Sequence, residues 1–252
     1  MGRLDGKVVL VTGAGQGIAQ GVALAAAAEG AHIVAAGRTL DKVEKTADDV
    51  RARGVDALAL QCDVRRRDEV DVCVAATVDR FGRLDGLVNN AMMVSLGPVL
   101  DITEKDARRT WDSGFLGTLW CMQAAHAPLV ASKGSVVNLG TGSALRPDPA
   151  GFALYAGVKE MVRTLTRAAA VEWGADGVRV NAVIPNGMSP GLQMWSEFAP
   201  EEFEAFVASI PLGRVGDLEQ DVGKVVAFLL SDDARYVTGT TLMADGGQAY
   251  LR

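Results

Sequence analysis

Tyr155 and Lys159 stand four positions apart in a helix-forming stretch, so both side chains project from one face with about 5–6 Å between their Cβ atoms. A free phenol has a pKa of about 10, too high for an efficient base at neutral pH, and a neighbouring ammonium favours its ionised form. The pair is therefore a candidate for proton transfer to or from a hydroxyl or carbonyl oxygen. Its bland alternative is a core tyrosine beside a surface lysine.

The second candidate is a turn, Thr12-Gly13-Ala14-Gly15-Gln16-Gly17-Ile18-Ala19. Its small residues let backbone N–H groups approach a pyrophosphate at a helix N-terminus. A glycine string alone says little, but this one follows the β-branched run Lys7 to Thr12 and precedes the Ala-rich helical stretch Ile18 to Ala28. That context predicts dinucleotide binding.

These residues need a frame, and the chain supplies one by alternation. Strand-like runs at Ala31 to Ala36, Ala57 to Gln61 and Leu84 to Asn89 are separated by helical segments at Asp41 to Arg53 and Asp68 to Arg80. Two longer helical segments, Glu104 to Val130 and Gly151 to Trp173, each precede a strand, Ser135 to Leu139 and Val178 to Val183. Strand-helix alternation implies a parallel sheet covered on both faces, in a doubly wound arrangement. With 252 residues, 49% of them hydrophobic, one α/β domain over 1–252 is expected.

Composition narrows the function classes. The net charge of −6 opposes nucleic-acid binding, and Arg65-Arg66-Arg67 runs straight into Asp68 and Glu69 as a solvated helix start. Cys62, Cys73 and Cys121 are odd in number and widely spaced, which argues against a disulfide framework and for a reducing compartment. With His32 and His126 as its only imidazoles the chain offers no recognisable metal site. Apolar runs are too short for a membrane span and no secretory signal is recognisable, so a cytoplasmic protein is expected; Gly6 stands where a myristoylation signal needs Ser or Thr.

The glycine turn resembles the T-G-x-x-x-G-x-G signature of the short-chain dehydrogenase/reductase family, with Ala19 in place of its last glycine. Further matches run the length of the chain: Asp63 after the third strand, Asn89-Asn90-Ala91 after the fourth, Tyr155 and Lys159, Asn181 and Pro185 around the sixth, and Asp245-Gly246-Gly247 near the end. The resemblance implies a Rossmann-type sheet of about seven strands and hydride transfer between a nicotinamide cofactor and an alcohol/ketone pair. Tyr155 then gives or takes the hydroxyl proton, and Lys159 also holds the nicotinamide ribose. By the same resemblance Gly13, Gly15, Gln16, Gly17, Ile18, Gly37, Arg38, Asp63, Val64, Asn90, Ala91, Pro185, Gly187 and Ser189 bind cofactor together with the catalytic pair.

The second strand of NAD-binding members ends on an acid; here Gly37 takes that place and Arg38 follows, a guanidinium able to pair with a 2′-phosphate. NADP(H) is expected, with NAD as the alternative if Arg38 faces adenine or solvent. Several positions depart from the family pattern. Gly114 replaces an asparagine, Met92 a glycine, and Pro190 a threonine for which Ser189 is a substitute. These departures keep open a nucleotide-binding sensor or scaffold with little turnover. Thirteen residues before Tyr155, where the family carries a serine, stands Gly142; Thr141 and Ser143 flank it, and the run Val136 to Thr141 favours Thr141.

Leu192, Met194, Trp195, Phe198 and Phe203 fall in a segment, about 188–212, that the resemblance makes a substrate lid; with Leu145 and Leu154 they suit an apolar small-molecule substrate, subunit contacts or plain core. A homotetramer is implied as well, with the long helices pairing across one two-fold axis and the tail from Asp245 to Arg252 near another.

Overall fold

The structure, a computed structural model, describes residues 2–146 and 151–249. Seven strands form one parallel sheet in the order β3-β2-β1-β4-β5-β6-β7. They are β1 Val8–Thr12, β2 His32–Gly37, β3 Ala57–Gln61, β4 Gly86–Asn89, β5 Ser135–Leu139, β6 Arg179–Pro185 and β7 Thr241–Ala244. The helices are α1 Gly17–Ala28, α2 Leu40–Arg51, α3 Arg67–Phe81, α4 Glu104–Trp111, α5 Gly117–Ser132, α6 Ala153–Trp173, α7 Pro190–Phe198, α8 Pro200–Ala208 and α9 Lys224–Leu230.

Side chains of β1 alternate between two apolar layers, as period-two geometry requires. Val9 and Val11 face α1, α2 and α9, whereas Val8 and Leu10 face α3, α5 and α6. Both faces being covered, the central strands read as unbroken apolar runs. Burying a side chain such as Leu10 or Leu87 contributes about 1.5–3 kcal/mol. On α2 the buried residues Val43, Thr46, Ala47 and Val50 follow helical spacing and leave the charged face to water.

The strand order reverses between β1 and β4, so the loops after these strands part and open a crevice at their carboxyl ends. Two elements differ from expectation. The segment from Glu104 is split: a wider π turn over Asp112–Leu116 joins α4 to α5. β7 was not legible, because Thr241–Ala244 is four residues long, half-buried at the sheet edge and bounded by glycines. The Arg65 to Arg67 run is spent on local ion pairs with Asp63, Asp68 and Asp71.

Candidate active site

A cavity of about 460 Å³ occupies the crevice. Its floor is the glycine turn, where Gly13 (φ +70°) comes so close to the loop after β4 that a Cβ would lie 2.9 Å from Asn90 Nδ2 and 3.0 Å from Ala91 Cα. Thr12 joins the two walls: its Oγ1 donates to the Val88 carbonyl (3.3 Å) and accepts from the N–H groups of Asn90 (3.1 Å) and Ala91 (3.2 Å). Gln16 precedes α1 without capping it, its side chain being engaged instead by Lys42 Nζ at 2.7 Å. The first amides of α1 are thus uncapped at the edge of the cavity, as a pyrophosphate would need. The residues fit a dinucleotide.

At the β2 end the lining includes Gly37, Arg38, Thr39 and Lys42. Arg38 Nη1 donates to Met93 Sδ at 3.2 Å across the cavity. The Asp63 carboxylate lines the same region but is held by Arg65, whose hydrogen bonds keep it below the usual carboxylate range. Sequence reasoning missed Lys42 and Thr39; their signal was position in the first turn and at the N-cap of the helix that follows Gly37.

At the β5 end Leu139, Gly140 and Thr141 meet the start of α6, which brings Tyr155 and Lys159 to one wall. Lys159 is buried and its Nζ donates to the Leu139 carbonyl at 2.6 Å. Desolvation pulls this ammonium down to about 8. Tyr155 moves the other way: burial pushes its phenol up, opposed by a hydrogen bond with Thr141 that favours ionisation. The lowering of Tyr155 by Lys159 expected from the sequence is not what governs the phenol here: burial raises it and the opposing influence comes from Thr141, because a dry site penalises the charged form.

Of the cofactor residues read from the sequence, all but Gly187 line this cavity; Gly187 instead bridges to Gly216, and a Cβ there would lie 2.8 Å from Leu218 Cδ2. Of the two candidate hydroxyls the cavity takes in Thr141 and leaves out Ser143, whose N–H donates to Thr141 Oγ1 at 3.3 Å. Ser189 lines the cavity and caps α7, accepting from the Leu192 N–H at 3.3 Å. Gly114 lies in the π turn, and its carbonyl accepts from Thr118 Oγ1 at 2.7 Å.

Of the three readings open for the apolar segment, a wall of this cavity is the one the lining does not include. Trp195 packs on Phe203 and Phe206, Met194 and Phe198 face outward, and Leu145 and Leu154 are not part of the lining. Met92, Met93 and Val94 take that place. Pro147 to Ala150 and the last residues of the tail, Tyr250 to Arg252, lie outside the described residues. No helix of the described chain is long and apolar enough to cross a membrane.

Comparison with known proteins agrees with this geometry. The family described as Enoyl-(Acyl carrier protein) reductase matches residues 13–249. The chain is 37% identical to 12alpha-hydroxysteroid dehydrogenase of a Clostridium species over 98% of both chains, and 36% identical to meso-2,3-butanediol dehydrogenase of Serratia marcescens over 97% of this chain and 95% of that one. Among solved structures it superposes on levodione reductase with a TM-score of 0.90 at 30% identity, covering 97% of this chain and 98% of the other. The fold and most of the chain's length are thus shared with proteins named as dehydrogenases and reductases. The chain belongs to the short-chain dehydrogenase/reductase family and is an NAD(P)-dependent oxidoreductase acting on alcohol and ketone groups.

Proposed function

We propose that the protein interconverts a neutral, largely apolar secondary alcohol and its ketone, with NADP(H) as the preferred cofactor. The observation that carries this reading is one cavity with unlike ends: Arg38 and Lys42 at the β2 end, and Thr141, Tyr155 and Lys159 at the β5 end. When bound, the cofactor supplies a hydride donor or acceptor at its nicotinamide C4.

Tyr155 gives its hydroxyl proton to the substrate oxygen in reduction and takes it back in oxidation. Thr141 donates a hydrogen bond to the same oxygen as negative charge gathers there. Lys159 supplies the positive charge that favours the tyrosinate and reaches the nicotinamide ribose. Arg38 and Lys42 pair with the 2′-phosphate, for which no carboxylate stands at the end of β2. Met92, Met93 and Val94 receive the apolar body of the substrate, a class to which the name of the hydroxysteroid relative also points.

Assembly as a homotetramer, with a lid over 188–212, and a cytoplasmic location complete the reading; the three buried free cysteines suit a reducing compartment. Light scattering tests the assembly, and a fully active monomer would contradict it. The chemistry is tested with Tyr155→Phe, which should leave cofactor affinity near wild type and lower turnover of an apolar ketone by about 10²-fold or more. Near-normal turnover would refute the role of Tyr155.

A further inference from the structure

Because all strands are parallel, their amino ends gather at the edge of the sheet opposite the cofactor crevice, and a second cavity of about 260 Å³ opens there. Lys7 before β1, Asp85 before β4, Lys133 after α5, Arg179 at the start of β6, and Asp232 and Arg235 after α9 contribute to its lining. In a chain of net charge −6 this is a local excess of cations.

The charges do not cancel within the cavity. Asp232 accepts from Lys7 Nζ at 2.6 Å, and Asp85 accepts from Arg83 Nη2 at 2.6 Å and from the Val8 N–H at 2.9 Å. Asp85 is matched by Arg83 and Asp232 by Lys7, with Arg179 and Arg235 also favouring the ionised Asp232, so Lys133, Arg179 and Arg235 outnumber the carboxylate charge left to them. Arg179 is half-buried, and its hydrogen bonds run to the carbonyls of Ser231 (3.1 Å) and Val237 (3.3 Å), which carry no countercharge. Desolvation lowers its proton affinity, with Asp232 acting weakly against that.

Lys133 adds a conformational observation. It ends α5 in the left-handed region at φ 52°, alone in this among the described non-glycine residues. Glycine or asparagine ordinarily takes such a cap, so a lysine here holds a cation at the cavity mouth against backbone preference.

We propose that this cavity binds a small, multiply charged oxyanion of the phosphate type, held by Lys133, Arg179 and Arg235. Forked guanidinium donors and an ammonium suit its oxygens, and a partly dry pocket strengthens such pairs relative to open solvent. The site is independent of the cofactor crevice and does not rest on the cofactor or substrate proposed above.

Equilibrium dialysis of radiolabelled inorganic phosphate against the whole protein tests it. The protein is first saturated with its nicotinamide dinucleotide, so that the glycine turn and Arg38 are already occupied, and ionic strength is held constant with potassium chloride. One saturable phosphate per chain is expected, with affinity about tenfold weaker in Lys133→Asn and in Arg235→Gln. Asparagine tolerates the left-handed cap, so the loss in the first variant reports charge and not folding. Neither side chain lines the cofactor cavity, and both variants should turn over at the wild-type rate. Absence of saturable binding, or wild-type affinity in both variants, overturns the proposal.

Discussion

Met92 stands in the space that a side chain at position 114 would need: a Cβ built on Gly114 would lie 3.0 Å from Met92 Cε and 3.2 Å from its Sδ. Val158 Cγ1 would be closer still, at 2.6 Å. The two departures from the family pattern therefore share one space, which the side chains of Val158 and Met92 fill beside Gly114. An apolar wall takes the place of an amide.

Restoring the asparagine alone should consequently be harmful. Gly114→Asn overfills the π turn and is expected to cost about 1–3 kcal/mol in urea unfolding. Adding Met92→Gly removes one of the two clashes and should recover part of that loss, with Val158 retaining the rest. Strict additivity of the two substitutions would break the link between them.

Thr141 and Ser143 can be told apart by kinetics. Thr141→Val keeps the shape and removes the donor beside Tyr155, so turnover should fall by about 10²-fold. Ser143→Ala lies outside the cavity lining and should change it little. The reverse result would assign the substrate hydrogen bond to Ser143.

Cofactor preference rests on the end of β2. Arg38→Asp and Lys42→Gln should each lower kcat/KM for NADP relative to NAD, by about 10- to 100-fold for the arginine, as charge-assisted pairs are lost. Gly37→Asp is a poorer route to the same switch, because its Cβ would press on Val43 Cγ1 at 3.0 Å. A wild type that already favours NAD would refute the assignment.

The buried lysine predicts a pH dependence of stability. Folding lowers the Lys159 pKa from its ordinary 10.5 to about 8, so above pH 8 the unfolded chain binds more protons at this site than the folded one. Stability linked to Lys159 is therefore lowest below pH 8 and rises as the folded-state ammonium deprotonates, by at most roughly 3 kcal/mol over the whole window. Urea unfolding of wild type and Lys159→Met between pH 7 and 9.5, with Tyr155 common to both, should show the wild type gaining on the variant. A constant difference would mean that the lysine is not dry.

The sequence carried the sheet well where strands are long and apolar, and poorly where tertiary context decides. β1 with its glycine turn is readable because local pattern and backbone requirement coincide at Gly13 and Gly17. β7 is not, since four half-buried residues at an edge have no period to recognise. Spacing could place Tyr155 and Lys159 on one face, but not reveal that burial opposes the ionisation of both. The outward aim of Met194 and Phe198, and the closure of Met92 over Gly114, depend on how separate segments meet, which composition does not encode.

Reversal of strand order between β1 and β4 also sets the schedule on which the crevice is made. A growing chain that has emerged only as far as α3 already holds the glycine turn, Arg38 and Asp63, yet β1 still has one open edge and the cavity has a single wall. The opposite wall arrives with β4 and then β5, whose residues are distant in sequence from those they face, so its closure is a high-contact-order event. Since the cavity is lined from both walls, a dinucleotide held there would act as a late fastener, favouring the completed sheet and offering little to the half-made chain.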